Sequence, residues 1–355
     1  MELRVDYVKD IRCLERGVGC LFVLDILGKS IEGSKNMLTE KDLLIEETKK
    51  KPDYVDSDWS DLITDRLQKW ENMWKVYEQE GKVPIPLWEE GNFREVHREG
   101  FIPQMLVYPV HAGKPRGMFI ICAGGGFMFK SDNEARPVAE YFYKSGLNVA
   151  ILDYNTDSTK MIGDGDVAAA AGEDGMRAVR MVRYHAKEWN INPDKIAIGG
   201  FSAGGVVSGK AGTLFDYGNP EADDPIERVS SRPDAVLLIY SAFTANSVCA
   251  KGDNRGYSFD AQRMAVQSMR NDINLRLDCP PFFIAQTGCD DPRDSYYMGI
   301  QLANRGIPHE VHMFEDGPHG GGLYDGNHED SPLCAHTSMW ASVAADWLKM
   351  KGFYE

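Results

Sequence analysis

The chain has 355 residues, 43% of them hydrophobic, enough for one large soluble domain with additions or for two domains. Its 39 Lys and Arg against 54 Asp and Glu give a net charge of −15, which argues against nucleic acid and anionic membrane, since both demand a basic face. Seven cysteines, an odd number with no C-x-x-C, indicate neither a disulfide framework nor a zinc site, and fit reduced thiols in a cytoplasm.

No leader peptide is expected at the N-terminus. Gly17 to Gly28 is apolar but short, is interrupted by Asp25 and follows mixed charges rather than a basic segment. No apolar run approaches the roughly 18 residues that span a membrane. Residues 1 to 83 are charged and helical in pattern. Ile63, Leu67, Trp70, Trp74 and Tyr77 recur at helical spacing and draw an aromatic stripe along one face. Two readings stand: a face packed on the main domain, or an arm that covers the active site or joins two subunits of a homo-oligomer. Gly81 can terminate the helix, and Pro84 and Pro86 cannot continue it. A boundary is therefore expected near residue 83, with a helical N-terminal extension before it and a catalytic domain over 84–355.

Beyond about residue 93 strands alternate with helices. Strands are expected at Met105 to Val110, Met118 to Cys122, Leu147 to Leu152, Lys195 to Ile198, Ala235 to Tyr240, Phe282 to Gln286 and His309 to Phe314. Helices are expected at Ala135 to Ser145, Val167 to Trp189, along the small-residue run Ala203 to Gly212, and at Ser338 to Met350. That order implies an α/β fold, a mainly parallel sheet with helices on both faces. Residues 155–166 and 241–281 are long for plain connections and read as insertions that wall or cover a pocket.

The chain is organised around Gly200-Phe201-Ser202-Ala203-Gly204, which fits G-x-S-x-G between a strand and a helix. Gly199 and Gly200 are expected to stop the strand. The motif puts the serine on a strained turn with its hydroxyl exposed, and Ala203 offers a backbone N–H at a helix start, where negative charge is favoured.

A nucleophilic serine needs a base, a group that orients the base, and donors for an oxyanion. His319, in Asp316-Gly-Pro-His-Gly, follows the last strand and is the candidate base; His309 and His312 lie in that strand and read as structural. The acid should follow the strand Phe282 to Gln286, where Asp290, Asp291 and Asp294 compete. Pro292 suits the first helical position, so Asp291 is the natural cap and is chosen. The oxyanion donors are expected from Gly125 and Gly126, after the Met118 to Cys122 strand, together with Ala203. No Gly-Lys-Ser/Thr follows those glycines, which disfavours a phosphate cradle.

These motifs resemble the α/β-hydrolase superfamily, and most of all its esterase branch of hormone-sensitive-lipase-type enzymes and carbohydrate acetylesterases. The carrying residues are Ala123-Gly124-Gly125-Gly126-Phe127, Gly200-Phe201-Ser202-Ala203-Gly204, Asp290-Asp291-Pro292 and Gly317-Pro318-His319-Gly320. The resemblance covers about residues 84 to 352. It departs from the lipase-type pattern at Ala123, where that group has His, and at Arg293 and Asp294, which keeps the choice of Asp open.

What the resemblance implies is an acyl-enzyme on Ser202 and hydrolysis of short acyl esters, with acetyl groups on sugars or oligosaccharides first. No metal or organic cofactor is expected. A serine peptidase of the same fold and a non-catalytic binding module are the alternatives.

Overall fold

The computed structural model describes residues 60–89, 101–160, 165–241, 275–290 and 292–355, with Arg293 and Asp294 described by backbone alone. An opening helix α1 (Ser60–Gln79) precedes strands β1 (Ile85–Pro86), β2 (Gln104–Val107) and β3 (Arg116–Cys122). Then follow α2 (Arg136–Lys144), β4 (Asn148–Asp153), α3 (Gly165–His185), β5 (Ile191–Phe201), α4 (Ala203–Leu214) and β6 (Ala235–Ile239). The last elements are β7 (Phe282–Gln286), α5 (Pro292–Asn304), β8 (His309–Met313) and α6 (Met339–Met350).

Among the described residues the strands form one eight-stranded sheet in the order β1-β2-β4-β3-β5-β6-β7-β8. The β1–β2 and β2–β4 pairs are antiparallel, and every pair from β4 to β8 is parallel. Strands β3, β4, β6 and β7 are apolar almost throughout, because each is covered on both faces. Alternate strand residues feed two cores. Ile120, Ile198, Leu238 and Ile284 face α3, α4 and α5, whose Val179, Val207 and Met298 complete that side. Phe119, Ala197, Leu237 and Phe283 face α1, α2 and α6, with Trp70, Phe142, Trp340 and Trp347 as the large fillers.

Strand β5 runs on through Gly199 and Gly200 to Phe201, so these glycines do not stop it. They serve close packing instead. A Cβ on Gly199 would lie 2.7 Å from Leu237 Cβ and from the Phe119 ring.

Helix α1 lies in the same compact unit as the sheet, Lys49–Glu355, so the expected division at residue 83 is not a boundary of packing. Trp70, Met73 and Tyr77 are buried, while Ile63, Leu67 and Trp74 are half-buried, so Met73 takes the inner place that the aromatic stripe gave to Trp74. Trp70 Nε1 donates to Asp153 Oδ1 at 3.1 Å, and the Tyr77 and Tyr108 hydroxyls lie 2.6 Å apart. Arg66 and Lys69 pair with Asp330 across the same face. Trp70, Met73 and Tyr77 thus belong to the same core as Phe119 and Leu237 of the sheet. Residues 1–59, and with them the rest of the expected extension, lie outside the described residues, as does most of the 241–281 insertion. Among the described residues no helix is long and apolar enough to cross a membrane.

Candidate active site

Ser202 stands between β5 and α4 with φ +49° and ψ −116°, a region that side chains other than glycine seldom adopt. Its neighbours make the turn possible. A Cβ on Gly204 would fall within the carbonyl oxygens of Cys122 and Ala123, and one on Gly200 would overlap the Gly204 carbonyl. Only glycine at both positions lets the helix start this close to β3 and β5. Ser202 N–H donates to Ile239 O at 3.2 Å, which pins the turn to the end of β6.

His319 reaches this serine from the loop after β8, with Nε2 2.9 Å from Ser202 Oγ. Its Nδ1 lies 2.9 and 3.1 Å from the two carboxylate oxygens of Asp290. A carboxylate can only accept, so Nδ1 carries the proton and Nε2 is left to accept from the serine hydroxyl. Thr287 Oγ1 donates to Asp290 Oδ2 at 2.6 Å, and Asp290 N–H donates to Thr287 O at 3.2 Å. This tight turn holds the Asp290 carboxylate against His319. The choice of Asp291 as the acid is thereby corrected: the carboxylate on His319 belongs to Asp290, and Asp291 lies outside the described residues.

The loop after β3 passes beside the serine. A Cβ on Gly124 would lie 2.9 Å from Ser202 Cβ and 2.8 Å from Glu134 Oε2. Gly125 and Gly126 follow with φ +138° and +64°, both in the region that favours glycine. Among the described residues no carbonyl accepts from the N–H groups of Gly125, Gly126 or Ala203. Two ties hold this loop from behind. Asp157 N–H donates to Phe127 O at 2.9 Å, and the buried Lys130 ammonium meets Asp153 Oδ1 at 2.8 Å and Tyr154 O at 2.7 Å. The segment that carries Asp157 is itself anchored where Asn155 N–H donates to Asp174 Oδ2 at 2.8 Å. Burial pushes the Asp174 carboxyl up to about 7.

Sequence reasoning missed Glu134, Tyr240 and Lys130. Tyr240 has a positive φ of +35°, and its ring meets that of His319 edge-on, with the ring centroids 5.1 Å apart. None of these residues belongs to a spaced motif; a charged residue inside an apolar stretch, as at Lys130 after Phe127-Met128-Phe129, was the available signal. Among the described residues no group of three or more His, Cys, Asp or Glu could hold a metal ion.

Comparison with known proteins agrees with this architecture. The chain superposes on the acetyl ester-xyloside bifunctional hydrolase from Caldicellulosiruptor lactoaceticus with a TM-score of 0.65 and 28% identity. The match covers 77% of this chain and 97% of that one. The BD-FAE family model matches residues 106–245, the span that holds the glycine loop and the serine turn. The chain belongs to the α/β-hydrolase superfamily. This α/β hydrolase is 30% identical over 243 residues to endo-1,4-beta-xylanase B of Butyrivibrio fibrisolvens, covering 66% of the chain and 37% of that protein. It is 27% identical over 222 residues to the acetylxylan esterase of Xylanibacter ruminicola, covering 59% of the chain and 42% of that protein. The chain thus spans less than half the length of these two curated relatives.

Proposed function

We propose that this hydrolase is a serine carboxylesterase that acts on short acyl esters. The observation that carries the reading is the unbroken line from Asp290 through His319 to Ser202 Oγ, with each gap near 2.9 Å. His319 Nε2 takes the serine proton as Oγ attacks the ester carbonyl, and the carbonyl oxygen gains negative charge. The N–H groups of Gly125, Gly126 and Ala203 donate to that oxygen, with the start of α4 behind Ala203. The C–O bond to the alcohol then breaks, and His319 gives its proton to the departing alkoxide. Water repeats the sequence on the acyl-enzyme, losing a proton to His319, and releases the acid and Ser202. Asp290 holds the imidazole in the required tautomer and balances its charge in both halves.

Acetyl groups on sugars or oligosaccharides, xylan-derived ones among them, are the proposed substrates. What supports them is the naming of the similar proteins, two of which carry acetyl ester or acetylxylan hydrolysis in their names. The described part of the 155–166 insertion packs against the glycine loop, as a pocket wall would. The test is release of acetate from acetylated xylo-oligosaccharides by the wild type beside Ser202→Ala. Unchanged release by a folded Ser202→Ala protein would overturn the mechanism. Turnover of simple acetate esters without release from any acetylated sugar would overturn the substrate.

A further inference from the structure

Glu134 takes no part in the reaction above, yet it is 2% exposed and lies against the glycine loop. Its Oε2 accepts from Gly124 N–H at 2.6 Å, and its Oε1 accepts from the Tyr240 hydroxyl at 2.8 Å. That hydroxyl accepts in turn from Gly322 N–H at 2.9 Å, which directs its own proton to Glu134. These partners stand on three separate pieces of the site. Gly124 precedes the proposed oxyanion donors Gly125 and Gly126. Tyr240 follows β6 and touches the His319 ring. Gly322 closes the loop that carries His319.

Both bonds reach Glu134 from donors, which suits an ionised carboxylate. Burial pushes its pKa up, and the two donors oppose that shift. A neutral amide of the same shape offers one accepting oxygen where two donors need one each.

We infer that Glu134 is a positioning residue for the proposed esterase site. It ties the oxyanion loop at Gly124 to the histidine loop, through Tyr240 and Gly322, so that both keep one separation around Ser202. The inference rests on the reading of Ser202 as nucleophile. The tie acts on groups that matter most when charge develops on the carbonyl oxygen, so its loss falls on kcat rather than on KM. Slack of about 1 Å between catalytic groups costs about 10²-fold.

The test is steady-state hydrolysis of nitrophenyl acetate by Glu134→Gln, Glu134→Asp and Tyr240→Phe, beside wild type and Ser202→Ala. In Glu134→Gln, kcat is expected to fall about 10²-fold with KM near the wild-type value. Glu134→Asp, which keeps two acceptors, is expected to recover part of that loss. Tyr240→Phe, which cuts one tie, is expected to lose less than Glu134→Gln. Adding Tyr240→Phe to Glu134→Gln should cost little more, because one chain of bonds is broken twice. A folded Glu134→Gln protein with wild-type kcat would overturn the inference. So would a Glu134→Gln loss that lies in KM alone. If Glu134→Gln does not fold, a wild-type kcat in Tyr240→Phe overturns it and a lowered kcat at unchanged KM supports it. Ester turnover that survives in Ser202→Ala would instead overturn the reading of the site, and this inference with it.

Discussion

Both oxygens of Asp290 lie within 3.1 Å of His319 Nδ1, and Thr287 fixes one of them from the other side. Asp290→Asn is therefore expected to lower kcat by about three to four orders of magnitude, because an amide that donates to Nδ1 favours the wrong tautomer. Asp291→Asn is expected to keep most of the wild-type rate. Parallel assays of the two variants decide between them, and the reverse ranking would return the role to Asp291.

The turn at Ser202 stores strain that only glycine escapes. Ser202→Gly is expected to be more stable than Ser202→Ala by about 1 kcal/mol, since alanine keeps the unfavourable φ of +49° and glycine does not. Urea unfolding of the two inactive variants measures the difference. Gly204→Ala is expected to cost about 3 kcal/mol or more, as its Cβ has no room beside the Cys122 and Ala123 carbonyls. A Gly204→Ala protein of wild-type stability would contradict the packing described for the turn.

Fold and site are legible in the sequence to unequal degrees. The central strands were readable because both faces of each are buried, so their apolar runs are nearly continuous. Ser202 and His319 were readable because a spaced motif and a position after the last strand constrain them. Asp290 was passed over for Asp291, since capping is a local rule and the facing of a carboxylate toward a loop 29 residues further on is not. The C-terminal end of β5 is not legible, because Gly199 and Gly200 look like breakers until Phe119 and Leu237 are seen closing on the first and the Gly204 carbonyl on the second. Glu134 left no sequence signal: its meaning lies in Gly124, Tyr240 and Gly322, which meet only in the folded chain.

The Lys130–Asp153 pair joins the glycine loop to α1 through Trp70. Both side chains are at most 5% exposed, and Asp153 also accepts from Gln104 Nε2 at 3.1 Å. Lys130→Met leaves that carboxylate buried without its cation and is expected to cost about 3–5 kcal/mol in urea unfolding. Trp70→Phe removes one neutral donor and is expected to cost less than Lys130→Met. Equal stabilities for Lys130→Met and wild type would show that the pair is not holding the loop.

Asp174 gives the fold a pH dependence of known sign. Its carboxyl rises from 3.8 in an unfolded chain to about 7 in the folded protein, through burial. Between those values the folded chain keeps a proton that the unfolded chain has released. The stability from Asp174 is thus fully present below the unfolded value and is lost as pH rises through about 7. Wild type is expected to lose stability relative to Asp174→Asn as pH is raised through this window. Parallel unfolding free energies for the two proteins at every pH would contradict it.

The proposed serine esterase activity is tested by hydrolysis of a nitrophenyl ester series, from acetate to long acyl chains, with the wild type and with Ser202→Ala. Turnover is expected to be fastest with acetate, to fall with chain length, and to be lost in the folded Ser202→Ala protein. Turnover that survives the substitution, or none at any chain length in the wild type, would contradict it.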